Sequence, residues 1–326
     1  RGYRSSIKDE SSLIESLILG IPIPPIFLSN DRYEGIKVLN VVDGQHRLRA
    51  FHRFCKNKYK LVDMKFLTDL ENQKYDEVPF TTKEIILGSK LSSIVFEDFP
   101  GLDYELEIFS RYNKGTKPLS NQDIRHAVYN SKLNHYVNNF VKMLMETHEK
   151  EDLKEAYNVT KDRFQKKRVQ ESIFVILSIL EKGINLKNSN APIYAENYMK
   201  EKSELENESP EKAEENFLFV KNRFEEFNKV IEKICEFTKY PFSKEIYGVS
   251  SRNYKFQMST AMIISGIFNK MFEKKSMKEN FKDENLKKIL KKISDLLKDS
   301  YLEDPEYTAS STNSIKIKEL IEKFNI

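Results

Sequence analysis

The chain has 326 residues, with 54 Lys and Arg against 50 Asp and Glu, 39% hydrophobic and 32% charged side chains. That balance belongs to a folded globular protein; it excludes a disordered chain and falls short of the strongly basic composition that would by itself announce a nucleic-acid binder. The two cysteines, Cys55 and Cys235, lie far apart, so neither a disulfide framework nor a zinc site can be read from them; this fits a reducing compartment, and the cytoplasm is the expected location.

Ser6 to Leu19 carries Leu13, Ile14, Leu17 and Ile18 on one helical face, with Asp9 and Glu10 in the first turn where they complement the helix dipole. Gly20 ends this helix, and Pro22, Pro24 and Pro25 force an extended path into Ile26 to Leu28, a short β segment. The run Leu13 to Pro25 is the longest apolar candidate, and Ser16, Gly20 and the prolines interrupt it well short of a membrane span. Ile36 to Val42 is a second β-branched strand, and the two read as neighbours in one buried sheet. From Gln45 the period turns helical, with Leu48, Phe51, His52 and Cys55 at i, i+3, i+4, i+7, so residues 36–57 read as strand, tight turn, helix. His52 at that spacing reads as a packed or half-buried side chain rather than a ligand.

Leu91 to Phe96 is a third strand. The remainder reads as helical: Tyr104 to Tyr112, Ser120 to Tyr129 with Ser120 and Asp123 as a capping-box pair, Phe164 to Leu180, Phe217 to Phe237, Phe256 to Phe272 and Glu284 to Leu297. The charged stretch Lys200 to Asn216, with Pro210 in it, has no apolar period and reads as a mobile connection. The expected class is α+β, an α/β lobe followed by a helical lobe. Arg1 in place of an initiating Met implies a segment of a longer polypeptide.

A strand ending in Asp43-Gly44 and turning directly into a helix gathers free backbone N–H groups and the positive end of the helix dipole at one point, which suits a phosphate. Gly44 lets a ligand approach the backbone, Arg47 offers its planar fork to phosphate oxygens, and Gln45 and His46 add hydrogen-bonding groups. Asp43, unsuited to touching phosphate, reads as a group for Mg²⁺, a ribose hydroxyl or an attacking water. The same residues read equally well as a helix cap with a surface ion pair, because Asp-Gly turns are common.

Asp43-Gly44-Gln45-His46-Arg47-Leu48-Arg49-Ala50 resembles the DGQQR or DGQHR box of the GmrSD-type restriction endonuclease N-terminal domain, a branch of the ParB/sulfiredoxin-like fold. Leu13 to Leu17 followed by Ile21 to Ile26 is similar to that family's first helix and proline-rich strand entry. Ile108 to Gly115 and Pro118 to Arg125 resemble its F-x-R-x-N-x-G and L-s-x-q-E-I-R segments. Three blocks in order tip the balance toward the phosphate reading. His46 replaces the second Gln of the box and Asp123 the usual Glu; Ser5 stands near a position where the family often has Trp, and Lys114-Gly115-Thr116 replaces a Thr-Gly-Gly-like turn.

The resemblance implies a ParB/sulfiredoxin-like nucleotide-binding domain over residues 1–130 and a helical domain over 131–326. It implies phosphate contacts from Gly44, Gln45, Arg47, Arg111, Asn113 and Arg125, catalytic roles for Asp43, Gln45 and His46, and Asp43 as a possible Mg²⁺ ligand. Arg1 and Arg4 resemble the domain's Arg-x-x-Arg opening. The expected activity is NTP binding and Mg-dependent hydrolysis in a restriction or antiphage system, gating DNA binding or a nuclease or modification enzyme encoded nearby. A sensing module without turnover and a nuclease in its own right are the alternatives.

No G-x-x-x-x-G-K-[ST] loop is present, so NTP chemistry here is not of the P-loop kind. All five histidines lie at or before His148, which leaves the C-terminal half without the histidines an HNH or HD nuclease needs. Lys161, Arg163, Lys166, Lys167 and Arg168 form the better DNA-binding candidate; the lysines from Lys274 to Lys292 are interleaved with acids and read as a solvated surface.

Overall fold

The computed structural model describes residues 6–33, 36–96, 120–273, 283–298, 300–304, 307 and 312–324. The chain divides into two compact units, Arg1–Leu119 and Ser120–Ile326.

In the first unit, α1 (Ile7–Ile18) starts at a capping box in which Ser6 and Asp9 satisfy each other's backbone N–H groups. It stops at Gly20, whose φ of 67° is left-handed, with Gly20 N–H bonded to Leu17 O and Ile21 N–H to Ser16 O, the paired bonds of a Schellman turn. Strands β1 (Ile26–Tyr33) and β2 (Ile36–Asp43) form an antiparallel hairpin. Helix α2 (Gln45–Cys55) leaves β2 at once, α3 (Phe80–Gly88) follows a long irregular segment, and β3 (Ser93–Phe96) adds parallel to β1. The sheet order is β2-β1-β3.

The core of this unit is made by Ile14 of α1, Phe54 of α2, Ile86 of α3 and Tyr59, Leu61, Met64, Leu70 and Val78 of the irregular segment. Two buried carboxylates of α1 tie the unit together: Glu15 Oε1 accepts from the backbone N–H groups of Phe66 and Leu67 in the irregular segment, and Glu10 pairs with Arg53 of α2. The sheet is more open than its apolar sequence implied. Ile36 is 68% exposed and Leu39 52%, because a three-stranded sheet ending in edge strands β2 and β3 leaves apolar positions outside the core. His52 is likewise exposed rather than packed; Ala50 and Phe54 supply the buried face of α2.

The second unit is helical, with α4 (Asn121–Val128), α5 (Lys132–Glu146), α6 (Glu151–Ala156), α7 (Lys161–Gln165), α8 (Arg168–Lys182), α9 (Ala191–Glu208), α10 (Pro210–Cys235), α11 (Met258–Glu273), α12 (Asp283–Leu297) and α13 (Ser314–Lys323). Helix α8 is its axis, buried without interruption from Ser172 to Leu180. At Gly266 of α11 a Cβ would lie 2.2 Å from Ile321 Cδ1, so glycine is what lets α13 close on α11.

Two expectations are corrected here. Lys200 to Asn216 is no mobile connection: α9 and α10 run through it, separated at Ser209, with Pro210 in the first turn where its missing N–H removes no helix bond. Buried Lys202 bonds Glu181 Oε1 at 2.8 Å and Asn216 Nδ2 donates to the same oxygen, so tertiary pairing holds a segment that lacks an apolar stripe. The helix expected from Phe164 to Leu180 is broken at Lys166 and Lys167, where Lys167 turns left-handed with φ 53°. Tyr104 to Tyr112 lies outside the described residues. Among the described residues no helix is long and apolar enough to cross a membrane.

Candidate functional site

The turn from β2 into α2 is built around Gly44. Its φ of 98° is left-handed, and a Cβ there would stand 3.1 Å from both Arg47 Nη2 and Ile26 Cγ1, so backbone conformation and space both demand glycine. The register of β1 on β2 shifts by one residue next to this turn, between the pairs Phe27 with Asp43 and Leu28 with Val41. Such a bulge re-aims the strand end. Helix α2 has no side-chain cap, and its first backbone bond runs from Leu48 N–H to Gly44 O. The first-turn N–H groups therefore point out of the helix start beside Asp43.

Arg47 folds back across the glycine. Its Nη2 donates to Asp43 Oδ2 at 2.9 Å and to Pro25 O at 3.0 Å, joining the end of β2, the entry to β1 and the start of α2. Its Nε is buried without a hydrogen-bond partner among the described residues. Arg47 is thus a half-satisfied guanidinium with a structural task, where the sequence indicated a side chain devoted to a ligand. Gln45 Nε2 donates to Val41 O at 3.0 Å, which ties this side chain back to the strand and makes it a brace of the turn. His46, next in the helix, is half-buried.

Of the predicted site residues, Asp43, Gly44, Gln45, His46 and Arg47 come together at this turn. Arg1, Arg4, Arg111 and Asn113 lie outside the described residues. Arg125 does not present itself to a ligand: it is 4% exposed, sits on α4 of the second unit, and donates from Nη1 to Glu171 Oε2 at 2.7 Å and from Nε to Glu196 Oε2 at 3.0 Å. Nη1 also donates to Gln122 Oε1 at 3.2 Å, within α4 itself. Arg125 is the pin joining α4, α8 and α9, and the capping box of Ser120 and Asp123 starts the helix that carries it.

Asp43 is the lone carboxylate of the turn and already accepts from Arg47. Among the described residues no group of three His, Cys, Asp or Glu side chains is placed to hold a metal ion. Asp43 is the one side chain of the turn that would hold Mg²⁺, the other ligands then coming from phosphate and water.

The basic cluster is also rearranged. Arg163 donates to Tyr157 O at 3.1 Å and Ser172 Oγ at 3.2 Å and lies 4.7 Å from the Phe256 ring centre; burial, with Arg168 beside it, pulls its pKa down to about 10. Lys167 is 4% exposed and donates to Asn138 Oδ1 at 3.1 Å. Only Lys161, Lys166 and Arg168 face solvent, and Lys166 pairs with Asp162 at 2.6 Å. The five residues do not form one open patch. A cleft of about 480 Å³ in the second unit, lined by Tyr136, Phe140, Asn228 and Glu232 among others, contains none of the predicted site residues.

The first unit is thus a small α+β unit in which a strand, a left-handed glycine and an uncapped helix bearing arginine converge at one turn. Residues 1–130 match the family model described as GmrSD restriction endonuclease, N-terminal domain, and this segment belongs to that family. The match covers the Asp43 to Arg47 turn and likens this segment to a domain of a restriction endonuclease. No curated protein and no solved structure matches the chain.

Proposed function

We propose that the turn from Asp43 to Arg47 binds the phosphates of a nucleoside triphosphate and hydrolyses the terminal one, as a switch within a restriction or antiphage system. The observation that carries this reading is Arg47 folded over an uncapped, glycine-led helix start, with a buried Nε still unpartnered among the described residues. A phosphate oxygen entering the turn meets the first-turn N–H groups and competes with Asp43 for Arg47, since a dianionic phosphate is the stronger acceptor for the guanidinium fork. Asp43 is then released to orient a water. Attack of that water on the terminal phosphorus forms one P–O bond and breaks the bond to the bridging oxygen, giving the diphosphate and inorganic phosphate, while Asp43 takes up the proton. Gln45 holds the turn through Val41.

Phosphate release from the pure protein with each of the four NTPs, in buffer containing Mg²⁺, tests turnover. Release with at least one NTP, lost in Asp43→Asn, supports hydrolysis; tight binding without release identifies a nucleotide sensor.

A further inference from the structure

Between Gln45 and Lys60 the sequence holds six Lys and Arg and two His and no Asp or Glu. At 100° per residue Arg49, His52, Arg53 and Lys56 fall within one narrow arc of α2, the i, i+3, i+4, i+7 positions of its solvent face. The opposite side is fixed: Ala50 and Phe54 are fully buried, Tyr59 Oη–H donates to Ala50 O at 3.2 Å, and Arg47 turns toward the strand end. The basic arc is therefore presented by an immobilised helix, and Lys58 and Lys60 extend it past the helix end, both exposed. Arg49, His52 and Lys56 are exposed as well, while Arg53 is drawn in by Glu10. Among the described residues His52, Lys56, Lys58 and Lys60 form no ion pair. Asp63, the first acid after Lys60, pairs with Lys8, and Asp76 accepts from Asn57 Nδ2.

We propose that the solvent face of α2, continued by Lys58 and Lys60, docks on the phosphodiester backbone of duplex DNA. Surface helices ordinarily mix both charge signs; a one-sign arc on a rigid element builds a local positive field that a polyanion fits and a neutral partner does not. From Arg49 to Lys56 the helix advances about 10 Å, comparable with the axial rise of about three nucleotides of one strand. The family match to a restriction endonuclease domain makes DNA the polyanion in question. The surface lies outside the Asp43 to Arg47 turn and does not depend on nucleotide binding, and it replaces Lys161 to Arg168, two of whose five cations are turned inward.

The test is fluorescence anisotropy of the full chain on a labelled duplex across a salt series. The wild type is compared with the triple variant Lys56→Glu, Lys58→Glu, Lys60→Glu and with the double variant Lys161→Glu, Lys166→Glu, each checked for unchanged melting by circular dichroism. The triple variant is expected to lose at least about tenfold in affinity at low salt and to flatten the log-affinity against log-salt slope by about two to three, since each lost phosphate contact removes close to one. The double variant should stay within about twofold of wild type. Equal affinity and slope in the triple variant, an equal loss in the double variant, preference for duplex RNA over duplex DNA, or no binding by wild type at about 50 mM salt, where backbone contacts are strongest, each overturns the proposal. Nucleotide affinity measured on the same triple variant separates the outcomes: it remains at the wild-type value whether or not the DNA surface is correctly placed.

Discussion

Arg47 and Asp43 face each other across Gly44, joined by a 2.9 Å bond from Arg47 Nη2 to Asp43 Oδ2 that closes the turn from within. The carboxylate occupies the guanidinium that a phosphate would take. Phosphate binding as proposed for this turn would therefore exchange one anion for another, with a separable contribution from each residue around it.

Gly44→Ala should destabilise the first unit by about 1–3 kcal/mol, the ordinary cost of forcing a side chain into a left-handed conformation. The new methyl also meets Ile26 and Arg47. Urea denaturation followed by circular dichroism reads the shift; an unchanged midpoint would show that the turn relaxes at no cost.

Asp43→Asn keeps an oxygen acceptor for Arg47 but removes the negative charge and the proton acceptor. Nucleotide affinity should stay within about tenfold while phosphate release falls by at least about a hundredfold, the pattern of a group used in the transition state rather than in binding. Release at the wild-type rate would reduce Asp43 to a partner for Arg47.

Arg125→Met should cost about 3 kcal/mol, because Glu171 and Glu196 lose their shared cation in a mostly buried setting. Because Nε and Nη1 are engaged within the second unit, nucleotide affinity should change by less than about twofold. Thermal melting and a nucleotide titration of the same variant decide it, and an intact melting temperature with lost nucleotide binding would return Arg125 to the ligand.

His126 gives a pH signature. Burial, with Lys167 nearby, lowers its pKa from 6.5 to about 3, and Nδ1 lies 2.8 Å from Asn134 Oδ1 and 3.0 Å from Asn138 Nδ2. The folded group stays neutral where the unfolded one takes up a proton. Its stabilising contribution is thus complete above pH 6.5 and declines as the pH falls toward 3, by at most about 1.4 kcal/mol per unit. His126→Gln should melt with a shallower acid dependence between pH 6.5 and 5 than wild type; parallel curves would show that the buried ring does not contribute.

The strand, glycine and helix of residues 36–57 were legible because three local signals coincide there: a β-branched run, an Asp-Gly step and a change of period. The capping boxes at Ser6 and Ser120 were equally local. What could not be read was the use of charges over long sequence distances. Nothing near Arg125 announces Glu171 and Glu196, and nothing near Lys202 announces Glu181, because each pair is made between helices far apart in sequence. Arg163 and Lys167 looked like two more cations of a basic run until Tyr157, Ser172 and Asn138 supplied their partners. The exposure of His52 escaped because its spacing from Leu48 and Cys55 matches the helix period, while the buried face is set by Ala50 and Phe54. The basic arc on α2 is present in the sequence, and its exposure follows only once Ala50 and Phe54 are known to be the buried face.

The most direct measurement is isothermal titration of NTP into wild type, Arg47→Lys and Arg47→Ala, each with its unfolding midpoint. Because Arg47 also bonds Asp43 and Pro25, the alanine variant should lose about 1 kcal/mol of stability, so it is compared with the lysine variant, which keeps the charge without the planar fork. Wild type should bind at least one NTP, with affinity falling by at least about a hundredfold in Arg47→Ala and by less in Arg47→Lys, as expected for loss of a charge-assisted phosphate contact. A folded Arg47→Ala protein that binds NTP as wild type does would contradict the account, and so would a wild type that binds none.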